Sequence, residues 1–196
     1  MRLFLSSIVF FYIYPLEGKI CLMLKKRIPY ALANTLYEIP FSFYLAKGIK
    51  TIFLDLDNTL APYHCSLPDD RAKRWAHEAK DNGITVYILS NNTGKRVGLF
   101  AKELGIECAS LMRKPFSGPL KRFLRTKELD PNECIMVGDQ IMTDVTACNG
   151  AHVRCILTEP LDGNEPPWTR FNRLFDRPKR KKIKKLGLAK PWEELL

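Results

Sequence analysis

Residues 51–60 read Thr-Ile-Phe-Leu-Asp-Leu-Asp-Asn-Thr-Leu, and this stretch decides the fold. Its first four side chains are apolar or β-branched without alternation, the pattern of a strand buried on both faces of a parallel sheet. Such a strand tolerates a carboxylate only where the chain leaves the sheet or meets a cation, and here two follow, Asp55 and Asp57. One strand-terminal aspartate is an ordinary turn former. Two of them, spaced to project to the same side of an extended chain, need another reason.

Downstream, short β-branched runs alternate with helical patterns. Residues 69–82 predict a helix stopped by Gly83, 84–90 a second strand, 94–104 a helix stopped by Gly105, and 106–110 a short third strand. Residues 118–127 predict another helix, 134–139 a fourth strand, 142–149 a short helix closed by Gly150, and 152–158 a last strand. This alternation predicts an α/β fold with a parallel sheet and crossover helices. Open sheets of that kind bind ligands at the carboxyl ends of their strands. Here those ends carry Asp55, Asp57 and Thr59, then Ser90, Asn91 and Asn92, then Asp139 and Asp144, while Lys114 precedes the fourth helix-strand unit.

In order, DLDNT (55–59), SNN (90–92), KP (114–115) and GDQIMTD (138–144) resemble the four motifs of the haloacid dehalogenase (HAD) superfamily. The short layout and the phrase VGDQIMTDV resemble its subfamily IIIA, in particular the bacterial YqeG-like phosphatases and relatives that dephosphorylate phosphatidylglycerophosphate. The resemblance implies a three-layer Rossmann-like fold. Numbering the strands from TIFLDLD, it implies the sheet order 5-4-1-2-3. It also implies Mg²⁺ held by Asp55, the Asp57 carbonyl and Asp139.

The chemistry of the residues agrees. A carboxylate whose target phosphorus is held by a cation and donors can take the phosphoryl group as an aspartyl-phosphate, the role expected of Asp55. Asp57 is placed to protonate the leaving alkoxide and then to activate water. Carboxylates around a phosphate repel it, so a hard cation with oxygen ligands must offset them. Ser90 and the Asn91 backbone are expected to hold phosphoryl oxygens, with Lys114 balancing charge on Asp55. Thr59 and Asp144 are supporting positions, Asp144 as a ligand of metal-bound water, a clamp on Lys114 or a helix N-terminal charge. His64, in the loop after the nucleophile, and Lys95 and Arg96, at a helix start, read as solvated.

No cap domain fits the spacing. About ten residues separate Leu60 from the helix at 69, and residues 91–113 are used up by one helix and one strand. An open site suits a bulky or surface-bound phosphate ester, and a phospholipid headgroup is the expected substrate. Two alternatives stand beside it: a phosphatase of nucleic-acid ends or nucleotides, and a non-catalytic RNA- or ribosome-binding protein that uses a basic tail.

Those alternatives come from charge. The 196 residues carry 31 Lys and Arg against 21 Asp and Glu, net +10. Eight of those cations lie in residues 177–190 with no acid among them, which leaves about +2 for the body. A mean hydropathy of −0.17 excludes a polytopic membrane protein. Six cysteines with no CxxC pair read as reduced thiols, placing the chain in the cytoplasm, with a peripheral position at the inner face of a membrane expected for a lipid substrate.

The chain divides into residues 1–22, an upstream extension or hydrophobic anchor; 23–49, a helical lead-in; 50–159, the phosphatase core; and 160–196, a basic segment that wraps back or dangles. Lys25, Lys26 and Arg27, close to Tyr30, Tyr37, Phe41, Phe43 and Tyr44, predict contact between the lead-in and an anionic bilayer. Nucleic acid is the other expected partner, through residues 177–190.

Overall fold

A computed structural model describes residues 27–163 and 167–196. Its centre is strand β2 (Thr51–Leu54), buried along its whole length between β3 (Thr85–Leu89) and β5 (Cys134–Gly138). Beyond β3 lies β4 (Glu107–Ala109), and beyond β5 lies β6 (Arg154–Thr158). Every pairing is parallel. Counted from β2, these five strands stand in the order 5-4-1-2-3.

Alternation along β2 builds two cores from one strand. Ile52 and Leu54 join one apolar layer, Phe53 the other. The first layer is completed by α1 (Phe41–Ala46), α2 (Asp70–Asp81) and α3 (Gly94–Leu104), which contribute Phe43, Tyr44, Trp75, Val97 and Phe100. The second is completed by α4 (Ser117–Thr126) and α5 (Thr146–Ala151), through Leu120, Leu124, Cys148 and Ala151. Each large apolar side chain buried in this way contributes about 1.5–3 kcal/mol, so the three layers hold together by burial on both sheet faces. The Asp69 side chain accepts a hydrogen bond from the Ala72 N–H at 2.8 Å and so caps α2, while Gly105, at φ 64°, supplies the left-handed residue that ends α3.

Two strands extend the sheet past β6. Strand β1 (Ala31–Ala33) lies beside β6, and β7 (Lys190–Pro191) lies beside β1. The lead-in, read as helical, holds α1 but also begins with a strand. Tyr30 donates its N–H to the Cys155 carbonyl at 2.8 Å and starts a strand, and a short 3-10 turn (Leu36–Glu38) leads on to α1. The reason is the open edge of β6, whose backbone groups need partners. Phe41, Phe43 and Tyr44 are buried in the first core, so they do not form a bilayer-facing surface. Tyr37 donates its hydroxyl to the Leu60 carbonyl at 2.6 Å, fastening the lead-in to the turn that follows Asp57.

The basic segment also folds back. Helix α6 (Pro167–Lys185) places Ile183 in the second core, and Trp192 packs edge to face on Phe43 at 5.8 Å. Among the described residues no helix is long and apolar enough to cross a membrane. Residues 1–22, read as an extension or anchor, and Lys25 and Lys26 lie outside the described residues.

Candidate active site

Parallel register brings the polar strand ends together. Leu54 stands opposite Val137, so Asp55, the next residue, donates its N–H to the Val137 carbonyl at 3.0 Å and ends beside Gly138 and Asp139. On the other side Leu89 of β3 is followed by Ser90, which is buried. The turn after Asp57 is tight. Asn58 adopts φ 61°, its N–H donates to the Ala61 carbonyl, and Thr59 is buried in the turn; Thr59, Asp139 and Asp144 lie outside the lining of the cavity that Asp55, Asp57, Ser90, Asn91 and Lys114 share.

Lys114 joins the carboxylates. Its ammonium, almost wholly buried, lies 2.5 Å from Asp55 Oδ1 and 2.7 Å from Asp144 Oδ1, and donates to the Leu89 carbonyl at 2.8 Å. Burial opposes its charge, but Asp144 and Asp55 outweigh burial and raise its pKa, so it stays an ammonium. Burial pushes Asp55 up; Lys114 pulls it down, and Asp144, Asp139 and Asp57 push it up further. That crowding of carboxylates is what a cation would relieve. Asp55, Asp139 and Asp144, all buried, bring one oxygen each within 4.8 Å of one another, a hard-oxygen set that fits a small divalent ion.

Asn91 acts through its side chain. Its Oδ1 accepts from the Lys114 N–H at 2.7 Å and its Nδ2 donates to the Lys114 carbonyl at 2.8 Å, a two-point clamp that sets where the lysine stands. Asp144 approaches the strand so closely that a Cβ on Gly138 would fall 2.6 Å from its Cγ, and its Oδ2 accepts from the Gln140 N–H at 3.1 Å. Only glycine fits there.

Asp57 has two partners. Asn92 donates to its Oδ2 at 2.5 Å, and Arg96 is paired with its Oδ1. The reading of Arg96 as solvated is corrected. The guanidinium is half-buried, donates to the carbonyls of Cys65 and Pro62 at 2.7 and 3.0 Å, and lies over the Phe100 ring at 4.9 Å. His64 instead pairs with Asp162 at 3.1 Å, away from the cavity lining.

The basic helix supplies residues that the spacing of motifs gave no sign of. Arg173 pairs with Asp139 and donates to its carbonyl at 2.9 Å, and Arg180 donates to the same carbonyl at 2.7 Å. Asp176 accepts from the N–H groups of Ile141 and Met142 at 3.0 and 3.1 Å, capping the wide turn 141–145 that carries Asp144. Thr169 and Asn172 help line the cavity over the site, together with Asp55, Asp57, Ser90 and Lys114. That cavity is about 100 Å³. A larger groove of about 670 Å³ between α2 and α3 holds no comparable cluster.

Residues 19–162 match the family model described as mitochondrial PGP phosphatase. The chain belongs to this family. It is 35% identical over 173 residues to the "Probable phosphatase YqeG" of Bacillus subtilis, covering 88% of this chain and all of that one. It is 28% identical over 153 residues to "Phosphatidylglycerophosphate phosphatase 1, chloroplastic/mitochondrial" of Arabidopsis thaliana, covering 72% of this chain and 43% of that one. Among solved structures, a 3-deoxy-D-manno-octulosonate 8-phosphate phosphatase from Moraxella catarrhalis superposes with a TM-score of 0.46 at 17% identity, covering 74% of this chain and 98% of that one. A PGP phosphatase family member is a phosphoric monoester hydrolase. In this chain the parallel sheet gathers the strand-end carboxylates Asp55, Asp139 and Asp144 into one cluster.

Proposed function

We propose that this chain hydrolyses the phosphate monoester of a phosphatidylglycerophosphate-like lipid through an aspartyl-phosphate on Asp55. The carrying observation is the geometry of Asp55. Its carboxylate is anchored on Lys114 at 2.5 Å and opens to a cavity that also holds Asp57 and Ser90. An oxygen of Asp55 attacks phosphorus, the ester P–O bond breaks, and Asp57 gives its proton to the leaving alkoxide. Asp57 then removes a proton from water as that water attacks the acyl phosphate, which frees Asp55 and inorganic phosphate. Arg96 and Asn92 hold Asp57 in place through both steps. Ser90 and Lys114 meet the charge on the transferring group.

Asp55, Asp139 and the Asp57 carbonyl would hold Mg²⁺, with Asp144 beside them. When bound, the ion supplies charge neutralisation at the phosphoryl oxygens.

Two observations support the lipid as substrate: the family's description and the name of the plant relative. A position on the inner face of a membrane goes with it. The nucleic-acid alternative has lost part of its footing, because Arg180 and Lys184 of the basic segment are engaged with Glu159 at 3.3 and 2.7 Å.

Purified protein is to be assayed on phosphatidylglycerophosphate in detergent, phosphorylated oligonucleotides and sugar phosphates. The lipid should be turned over fastest, EDTA should stop the reaction and Mg²⁺ restore it. Preference for oligonucleotides, or turnover after exhaustive chelation, would overturn the corresponding part.

A further inference from the structure

Helix α6 is inside out compared with an ordinary surface helix. The face it lays on the domain is polar, through Arg173, Asp176 and Arg180. The face it turns outward is apolar: Phe171, Leu174 and Phe175 are 60, 65 and 48% exposed, and the two phenylalanine rings pack edge to face at 5.2 Å. Single exposed apolar side chains are ordinary, whereas a contiguous patch calls for something to cover it. Beyond the patch the outward face turns cationic, with Arg177, Lys181, Lys182 and Lys185 exposed.

The position of the patch matters as much as its composition. Thr169 and Asn172, on the flank of the same helix, line the catalytic cavity. Leu111 and Phe116, on the loop that carries Lys114, are also exposed, at 57 and 70%, but they line a separate groove with Arg113, Arg122 and Arg125. The apolar patch that adjoins the cavity is therefore the one on α6.

We infer that the outward face of α6 is a docking surface for an anionic phospholipid bilayer, which seats the catalytic mouth on the headgroup layer. Charge complementarity selects this occupant. Phenylalanine and leucine suit the boundary between headgroups and acyl chains, and a row of cations with no acid between residues 177 and 190 suits anionic headgroups beside it. Phe41, Phe43 and Tyr44 of the lead-in cannot serve, since the core already holds them. The inference deepens the lipid reading of the substrate and rests on it for why the mouth should face a membrane.

Flotation with phosphatidylglycerol-containing vesicles, against phosphatidylcholine alone, tests it. The full chain should float with the anionic vesicles and lose binding as salt rises. The F171S/L174S/F175S variant should bind at least tenfold more weakly while hydrolysing a soluble aryl phosphate as the unmodified chain does. Because that variant could fold poorly, L174W provides a second measurement, its added emission shifting to the blue when anionic vesicles are present. Unchanged flotation of the triple variant, absence of flotation at low salt, or a dimer that the triple substitution abolishes in place of vesicle binding would overturn the inference. Hydrolysis of detergent-dispersed lipid without flotation sinks the docking surface alone, whereas flotation without lipid hydrolysis sinks the substrate reading alone.

Discussion

Arg173 and Asp139 form an ion pair closed to water on both sides, their side chains 7 and 0% exposed, although 34 positions separate them in the chain. The carboxylate belongs to the catalytic sheet and the guanidinium to the basic helix, so the helix is part of the site's electrostatics. Removing one member of a buried pair leaves the other uncompensated and costs about 3–5 kcal/mol. R173M should show that loss in urea denaturation with EDTA present. Mg²⁺ should restore part of it, because the cation neutralises the same carboxylate. Equal losses with and without Mg²⁺ would show that Arg173 and the ion do not share Asp139.

Asp55→Asn keeps the shape of the side chain but cannot form an acyl phosphate. Phosphate release should fall below detection while the fold, followed by circular dichroism, is kept. Rapid acid quenching should trap a hydroxylamine-labile phosphoprotein with the unmodified chain and none with the variant. Normal turnover by the variant, free of deamidation, would remove Asp55 from the mechanism.

Arg96 acts through Asp57, so R96Q tests positioning and not contact with substrate. General acid-base assistance is worth about 10²–10⁴ in rate, and a misoriented Asp57 should forfeit about 10- to 100-fold of it in kcat with KM little changed. Alkyl phosphates, whose leaving groups need the proton, should suffer more than aryl phosphates. Equal loss on both would mean that Arg96 serves only stability.

Gly138→Ala drives a methyl group into Asp144. Overpacking of this kind costs about 1–3 kcal/mol. The denaturation midpoint should drop accordingly, and Mg²⁺ should protect the variant less than the unmodified chain because Asp144 has been pushed from its place.

Glu159 supplies a pH test. Burial raises its pKa, but Lys184 and Arg180 outweigh burial and hold it below the ordinary 4.5. A carboxyl whose folded pKa is depressed contributes stability in its ionised form. That contribution is complete above the ordinary value and disappears as pH falls through the lower folded value. The difference in Tm between the unmodified chain and E159Q should therefore be largest near neutral pH and close toward zero in acid below 4.5. A difference independent of pH would assign Glu159 no electrostatic part in docking α6.

The central strands and the polar groups gathered at their ends were legible because each announces itself locally: an unbroken apolar run, then a polar residue where the chain leaves the sheet. Lys114 was found by its place before Pro115 and in step with the aspartates. Arg96 was not, because its partner Asp57 is 39 positions away and a cation at a helix start is usually solvated. Strand β1, three residues long and two of them alanine, is too short to show a period of two. Helix α6 was hidden for a more instructive reason: over its first half Phe171, Leu174 and Phe175 face out while Arg173 and Asp176 face in, so the usual rule for telling the buried side from the exposed one reads that half backwards.

The separation of Asp139 from Arg173 also has a consequence in time. During synthesis the 34 positions between them take roughly 2–7 s to add at about 5–20 residues per second. Through that interval the nascent sheet carries Asp139 without its guanidinium partner, and the turn at 141–145 lacks the Asp176 carboxylate that receives its N–H groups. A chain cut short between Thr158 and Arg173 would keep strands β1 to β6 and leave Asp139 without its guanidinium and the turn without its carboxylate, so it would carry the motifs of a phosphatase with no stable place to use them.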